Sequence, residues 1–388
     1  MTRRRFLIQT SQALAASSLP LLSMPSWAVE APISDKHVTL GLSLPLSGIL
    51  AGAGKAHTEG AKAAIAEVNS KGGINGREIR LVFADDAYTP AKTVENVSGW
   101  LTRNEVFGIV TLVGTGNTAA VLKMIEEKGV PTVGPITGAP SLRTEKVRNV
   151  FFVRPSYADE AQRMVQQMVG MGLKRIGVVY LDNPFGEEVK ALMTRELDAA
   201  KVSRAGEYKL ALDGSNGDAV AQELLNAKAG AVMLATTGSA NTSFMLPFRE
   251  KAPAIPIAGL SVSVIPTEYG KLGDAMRGYA AARTFPDARS MKSAIARRFQ
   301  ASMKAAGAPE PFQTNSSSME SWLNMQVMME GIRKAGGTPT RESLRNSLAG
   351  IRKLSFGDFD VNFPDQAPYV GSDSVDLAIF GPGGRPVN

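Results

Sequence analysis

The stretch VTLVGTGNTAAVL (Val110–Leu122) runs from an apolar strand-like segment through glycines into a helix-like one. Such a junction points bare backbone N–H groups, at the positive end of a helix dipole, toward an anion. Gly114, Gly116 and Ala119 satisfy G-x-G-x-x-A, so one anion to weigh is a dinucleotide pyrophosphate. That chemistry needs an acid about 20 residues on to hold the ribose. The corresponding strand end reads GPITGAP, with no carboxylate before Glu145, and the motif follows the third strand of its run instead of the first. A P-loop is excluded because no Gly-Lys-Ser/Thr follows. Two readings remain: a small carboxylate docked on the helix N-terminus with help from the Thr115 hydroxyl, or capping of that helix by Thr115 or Asn117. A second Thr/Gly turn, Pro135–Pro140, ends the neighbouring strand, where parallel sheets receive ligands, and it favours the carboxylate.

Other groups with chemical potential are few. Asp85-Asp86 ends a strand and has no third ligand nearby, so it reads as a helix cap or a solvated pair rather than a metal or acid–base site. The two histidines, His37 and His57, read as surface or packing residues. No G-x-S-x-G or H-E-x-x-H motif occurs and there is no cysteine, so no nucleophile, thiolate or metal site is expected, and no cofactor. In the Met-rich segment MESWLNMQVMMEGI, Trp322, Met325, Met329 and Ile332 share one helical face, the pattern of a core stripe rather than a copper site. Phe185, at the turn in LDNPFGEEV, is a candidate to face a cleft.

These residues need a scaffold, and 388 residues with 44% hydrophobic and 20% charged suffice for two domains. Residues 1–28 are expected to be an export signal of the twin-arginine type: three arginines, an apolar stretch too short to span a membrane, and cleavage after about Ala28. Three of the seven net positive charges lie in that leader, leaving +4 on the mature chain without a basic run that would suit nucleic acid. Beyond it, apolar strand-like runs alternate with helix-like segments twice, over Val38–Pro135 and Val150–Ala258. Strands with little internal polarity joined by helices imply parallel sheets covered on both faces. The expected fold is α/β with two lobes. Residues 29–154 and 286–355 form the first, and 155–285 and 356–388 the second. The chain passes between them at Val153–Ser156, Arg283–Asp287 and Phe356–Pro364, a three-stranded hinge.

LSLPLSG, AEVNSKGGINGREIRLVFADD, GTGNTAAVL, EEKGVPTVGP and RIGVVYLDNPFGEE together resemble the periplasmic leucine/isoleucine/valine-binding proteins of branched-chain amino acid ABC importers, over essentially the whole mature length. The resemblance implies a type I periplasmic binding fold, no enzymatic activity, a small solute held between lobes, and delivery to a membrane permease. It places the carboxylate grip on Thr115, strand-end contacts on Ile136, Thr137 and Gly138, and a covering aromatic on Phe185. A tyrosine of the family's first loop is replaced near Ala53, a second-lobe tyrosine by Gly238, and the glutamate that pairs with an α-ammonium by Ser261. Losing one member of a buried ion pair costs about 3–5 kcal/mol, so these departures imply a carboxylate- or amide-bearing solute without a strongly held ammonium. Amino acid binding, a ligand sensor on the same fold and an enzyme on the same scaffold are the alternatives.

Overall fold

A computed structural model describes residues 31–387. The export segment, residues 1–28, lies outside the described residues. The chain begins as β1 (His37–Leu44), α1 (Ala51–Asn69), β2 (Glu78–Asp85), α2 (Pro90–Thr102), β3 (Gly108–Val110), α3 (Thr115–Glu127), β4 (Thr132–Val133) and β5 (Val150–Phe152). A second alternation follows: α4 (Tyr157–Gly170), β6 (Arg175–Leu181), α5 (Pro184–Ala199), β7 (Ser203–Leu210), α6 (Gly217–Asn226), β8 (Ala231–Ala235), α7 (Ala240–Lys251), β9 (Ile257–Gly259), α8 (Tyr269–Leu272) and β10 (Tyr279–Arg283). Then come α9 (Ala294–Ala305), α10 (Glu310–Gln313), α11 (Ser316–Lys334), α12 (Arg341–Ala349), β11 (Leu354–Ser355), β12 (Asp360–Val361), β13 (Tyr369–Val370), β14 (Asp376–Phe380) and β15 (Pro386–Val387).

Two sheets organise these elements. The first has the order β13-β5-β4-β3-β1-β2 and is parallel throughout. The second has the order β15-β14-β10-β9-β8-β6-β7, parallel except for β14 and β15. The strands look as parallel strands should: β3, β5, β8 and β9 are buried at every residue. Residues of α1, α9 and α11, including Ala61, Ala64, Phe299 and Trp322, pack over one face of the first sheet. Trp322, Met325, Met329 and Ile332 lie in this core, as their spacing indicates. On its other face, Val97, Trp100 and Ile125 join an apolar cluster that continues into the second lobe through Val178, Met233 and Phe244.

The helices α1 and α11 approach closely at Gly60. A Cβ there would lie 1.9 Å from the Ser318 carbonyl oxygen, so only glycine permits this spacing. The contact sets α11 one turn from His57, which matters for the site.

The hinge departs from expectation at its third passage. The segment 356–370 belongs with the first lobe. Phe356, Phe359, Val361 and Phe363 are buried in its core, and Tyr369 pairs in parallel with Phe151. Burying three phenylalanines there stabilises more than the short exposed polar stretch between them costs. The chain crosses only over residues 371–375. There Gly371 donates to the Phe152 carbonyl at 2.7 Å, and Arg283 pairs with Asp376 across the β10–β14 ladder. The connecting segments therefore lie side by side.

Candidate functional site

A cavity of about 310 Å³ lies between the lobes, at the carboxyl ends of the parallel strands of both sheets. Leu50, Ala53, His57, Tyr88, Gly114 and Ile136 line it from the first lobe, and Tyr157, Phe185, Thr237, Ser261 and Val262 from the second. The lobes touch around it. The Ser239 N–H donates to the Ile49 carbonyl at 3.2 Å, and Glu188 accepts from Ser141 N at 3.0 Å and Ser141 Oγ at 2.8 Å. Phe185, at the first turn of α5, meets the Tyr157 ring edge to face at 5.4 Å.

Of the residues singled out in the sequence, Ile136, Phe185 and Ser261 line the cavity. Thr115 does not. It is 4% exposed, and its hydroxyl is bonded at 2.8 Å to that of the fully buried Thr137, which also accepts from Ala139 N. This pair ties the two turns to each other instead of presenting hydroxyls to the cleft. The part of the first turn that does reach the cavity is Gly114, beside the first N–H groups of α3, and the Tyr88 ring packs over it. Gly138 is packed against Tyr157, whose N–H donates to its carbonyl at 2.8 Å. Gly238 sits at the lobe junction with φ +73°, where a Cβ would lie 2.7 Å from the Ile49 carbonyl oxygen. It serves the contact between lobes rather than the cavity wall.

The sequence reading missed the charged heart of the cleft. Arg154, on the first crossing segment, is 1% exposed and lines the cavity. Its Nη2 donates to Ser261 Oγ, while two glutamates flank it: Glu160 of α4 at 3.9 Å and Glu320 of α11 at 3.6 Å. Glu160 in turn accepts from Ser261 N at 2.8 Å and Ser261 Oγ at 3.2 Å. Burial pushes both carboxyls above their ordinary range; Arg154 opposes this for each. The serine at 261 therefore does not leave the cleft without carboxylates, which corrects the inference drawn from that position. Sequence held a signal for one of them, an arginine ending the apolar run VFFVR; Glu160 and Glu320 have no such local mark.

His57 also lies here, and not on the surface or in plain packing. It is 2% exposed and lines the cavity. Burial, only partly offset by a hydrogen bond to the Ser317 backbone, lowers its pKa to about 3, so the ring is neutral at physiological pH. Asp85 and Asp86 neither cap a helix nor form a merely solvated pair; they organise the first loop. Asp85 accepts from Leu46 N at 2.9 Å and Ser47 Oγ at 2.6 Å, and the buried Asp86 accepts from Ser43 Oγ at 2.9 Å and Tyr88 N at 2.9 Å. Among the described residues no group of three or more His, Cys, Asp or Glu side chains is arranged to hold a metal ion. Among the same described residues, no helix is long and apolar enough to cross a membrane.

Comparison with known proteins fits this architecture. A family model described as periplasmic binding protein matches residues 37–364. The chain is similar to a substrate-binding periplasmic protein from Ralstonia solanacearum: 32% identity over 90% of this chain and 99% of that one, with a TM-score of 0.82. It is 23% identical to a Leu/Ile/Val-binding protein homolog from Brucella melitensis, over 85% of this chain and 89% of the relative. A solute-binding protein of an ABC transporter from R. palustris, solved with benzoate, shares the fold at 22% identity, covering 91% of this chain and 95% of that one, with a TM-score of 0.79.

Proposed function

This chain belongs to the periplasmic binding protein family, and from that premise we propose that it captures a small carboxylate- or amide-bearing solute between its lobes. Solute binding for an ABC importer, outside the cytoplasm and without catalysis, is the general activity; the proposal concerns what is bound and how. The observation that carries it is the cavity itself. Its walls are mostly apolar or aromatic, and at one end Gly114 and Ile136 bracket the N-terminus of α3. That end supplies backbone donors and the positive pole of a helix, suited to a carboxylate or amide oxygen. Leu50, Ala53, Val262 and Phe185 suit an apolar body, and the small Ala53 leaves room for it. The proposed solute contacts are thus Gly114, Ile136, Phe185 and Ser261, with Thr115 and Thr137 bracing the turns behind them and Gly138 and Gly238 shaping the backbone.

Binding favours whichever lobe arrangement the solute contacts on both sides, so hinge closure follows from the differential affinity alone. A thermal-shift screen of purified mature protein against aromatic and aliphatic acids, their amides, and amino acids tests the proposal. A solute at about 100 times its Kd stabilises by about 2.7 kcal/mol, enough for a clear rise in Tm. Stabilisation confined to sugars, polyols or amines without a carboxylate or amide would reject it.

A further inference from the structure

The cleft has a second pole opposite in character to the first. At the start of α11 the Glu320 carboxylate lines the cavity at 8% exposure. No donor among the described residues hydrogen-bonds to it; its nearest cation, Arg154 Nε, stands at 3.6 Å, beyond hydrogen-bond range. Glu160 differs, being fully buried and held by two bonds from Ser261. His57 lines the same cavity, held against α11 one turn before Glu320 where the helices meet at Gly60. Its ring bonds to the Ser317 backbone, and its buried Nδ1 has no partner. A neutral ring that donates from Nε2 to a carbonyl carries a lone pair on Nδ1. The Glu320 carboxylate therefore lines the cavity with no hydrogen bond to accept, while His57 Nδ1, also without a partner, is closed off from it. Buried polar groups are normally paired, and those left over in a binding cleft mark where a guest completes the set.

We propose that Glu320 recognises a hydrogen-bond donor on the solute, an amine, amide N–H or hydroxyl, and thereby selects it over the same acid without that group. The inference rests on the carboxylate or amide reading for the other pole. Arg154 stands between the two carboxylates at 3.9 and 3.6 Å, with its Nε and Nη1 free of hydrogen bonds; with both carboxylates ionised the three groups carry one net negative charge, so this end favours a donor over a further anion. The acceptor end of the solute is left to the α3 turn, and its donor end to α11. The solute is bipolar.

Calorimetry on the mature protein with matched probes tests this. The pairs are phenylalanine against 3-phenylpropionate and 4-hydroxybenzoate against benzoate, alike in carboxylate and ring and differing in the donor. Phenethylamine and phenol supply the donor without the acid. The donor-bearing acid of at least one pair should bind about 10-fold more tightly than its partner, and Glu320→Gln should shrink that gap to about 3-fold or less while the donorless acid keeps its affinity. Retained binding of the donorless acid shows that the variant is folded. Equal affinity within both pairs, or a gap that survives Glu320→Gln, overturns the assignment. Failure of the carboxylate reading looks different: phenethylamine or phenol would then bind as tightly as the acids, still dependent on Glu320.

Discussion

His57 offers a direct test of the cleft's electrostatics. Burial lowers its pKa from an ordinary 6.5 to about 3. In the unfolded chain the ring takes up its proton near 6.5, whereas the native state refuses it until far lower pH. The native state thus holds fewer protons than the unfolded one between these values, and stability must fall as pH falls through that window. Between about pH 7 and pH 4.5, full protonation of the unfolded ring against almost none in the native one removes about 2.5 kcal/mol. Glu160 and Glu320, whose pKa values are raised, work the other way over the same range, so the raw pH profile mixes opposite slopes. His57→Gln isolates the histidine. Urea unfolding of the solute-free protein at both pH values should show the wild type losing about 2.5 kcal/mol more than the variant. Nuclear magnetic resonance gives an independent reading, because His37 and His57 are the chain's two histidines. The ring signal lost in His57→Gln should remain unprotonated at pH 4.5 in the wild type. A ring that titrates near 6.5, or equal losses in both proteins, would refute the picture of a dry, neutral imidazole in the cleft.

Other expectations follow from the same geometry. Glu320 has a raised native pKa, so its native-state stability is fullest below the unfolded carboxyl value and declines as pH rises through the native one; Glu320→Gln should therefore raise the urea midpoint of the solute-free protein at pH 8 and have no such effect near pH 4. Gly238→Ala places a methyl against the Ile49 carbonyl at a φ of +73°, a strain of about 1–2 kcal/mol, and should weaken solute binding about 10-fold by opposing the lobe contact. Ser141→Ala removes the hydroxyl bond to Glu188 and leaves the backbone one; since that pair is exposed, the loss is about 0.5 kcal/mol, seen as about twofold faster solute release in stopped-flow fluorescence. Unchanged release would mean that this contact does not contribute to holding the lobes together.

Some of this was written locally in the chain and some was not. The alternation of buried strands and amphipathic helices depends on neighbours three or four residues apart, so it reads directly, as does the Trp322–Ile332 stripe. Phe185 could be placed at the cleft because a strand-to-helix turn of a parallel sheet opens there whatever packs behind it. Thr115 misled for the opposite reason. Its type and position suit an anion, but a hydroxyl in such a turn bonds with whichever partner is nearest, and that partner is Thr137 on the adjacent strand end. The third hinge passage was placed too early because LSFGDFDVNF has the look of a strand, while its destination is set by where Phe356, Phe359 and Phe363 find a core.

The charged groups were hardest to read because their meaning is a matter of juxtaposition. Arg154 comes from a crossing segment, Glu160 from the second lobe, and Glu320 and His57 from two helices of the first, and no local spacing links them. Their assembly at the hinge has a mechanical consequence. Arg154 donates to Ser261 in one lobe and faces Glu320 in the other, so rotating the lobes apart changes its separation from at least one carboxylate in a medium where charge separation is costly. The hinge and the binding pole are thereby one electrostatic unit. A solute donor that neutralises Glu320 alters the balance of forces on Arg154 as well as adding a contact, and so acts on closure from the axis about which the lobes turn.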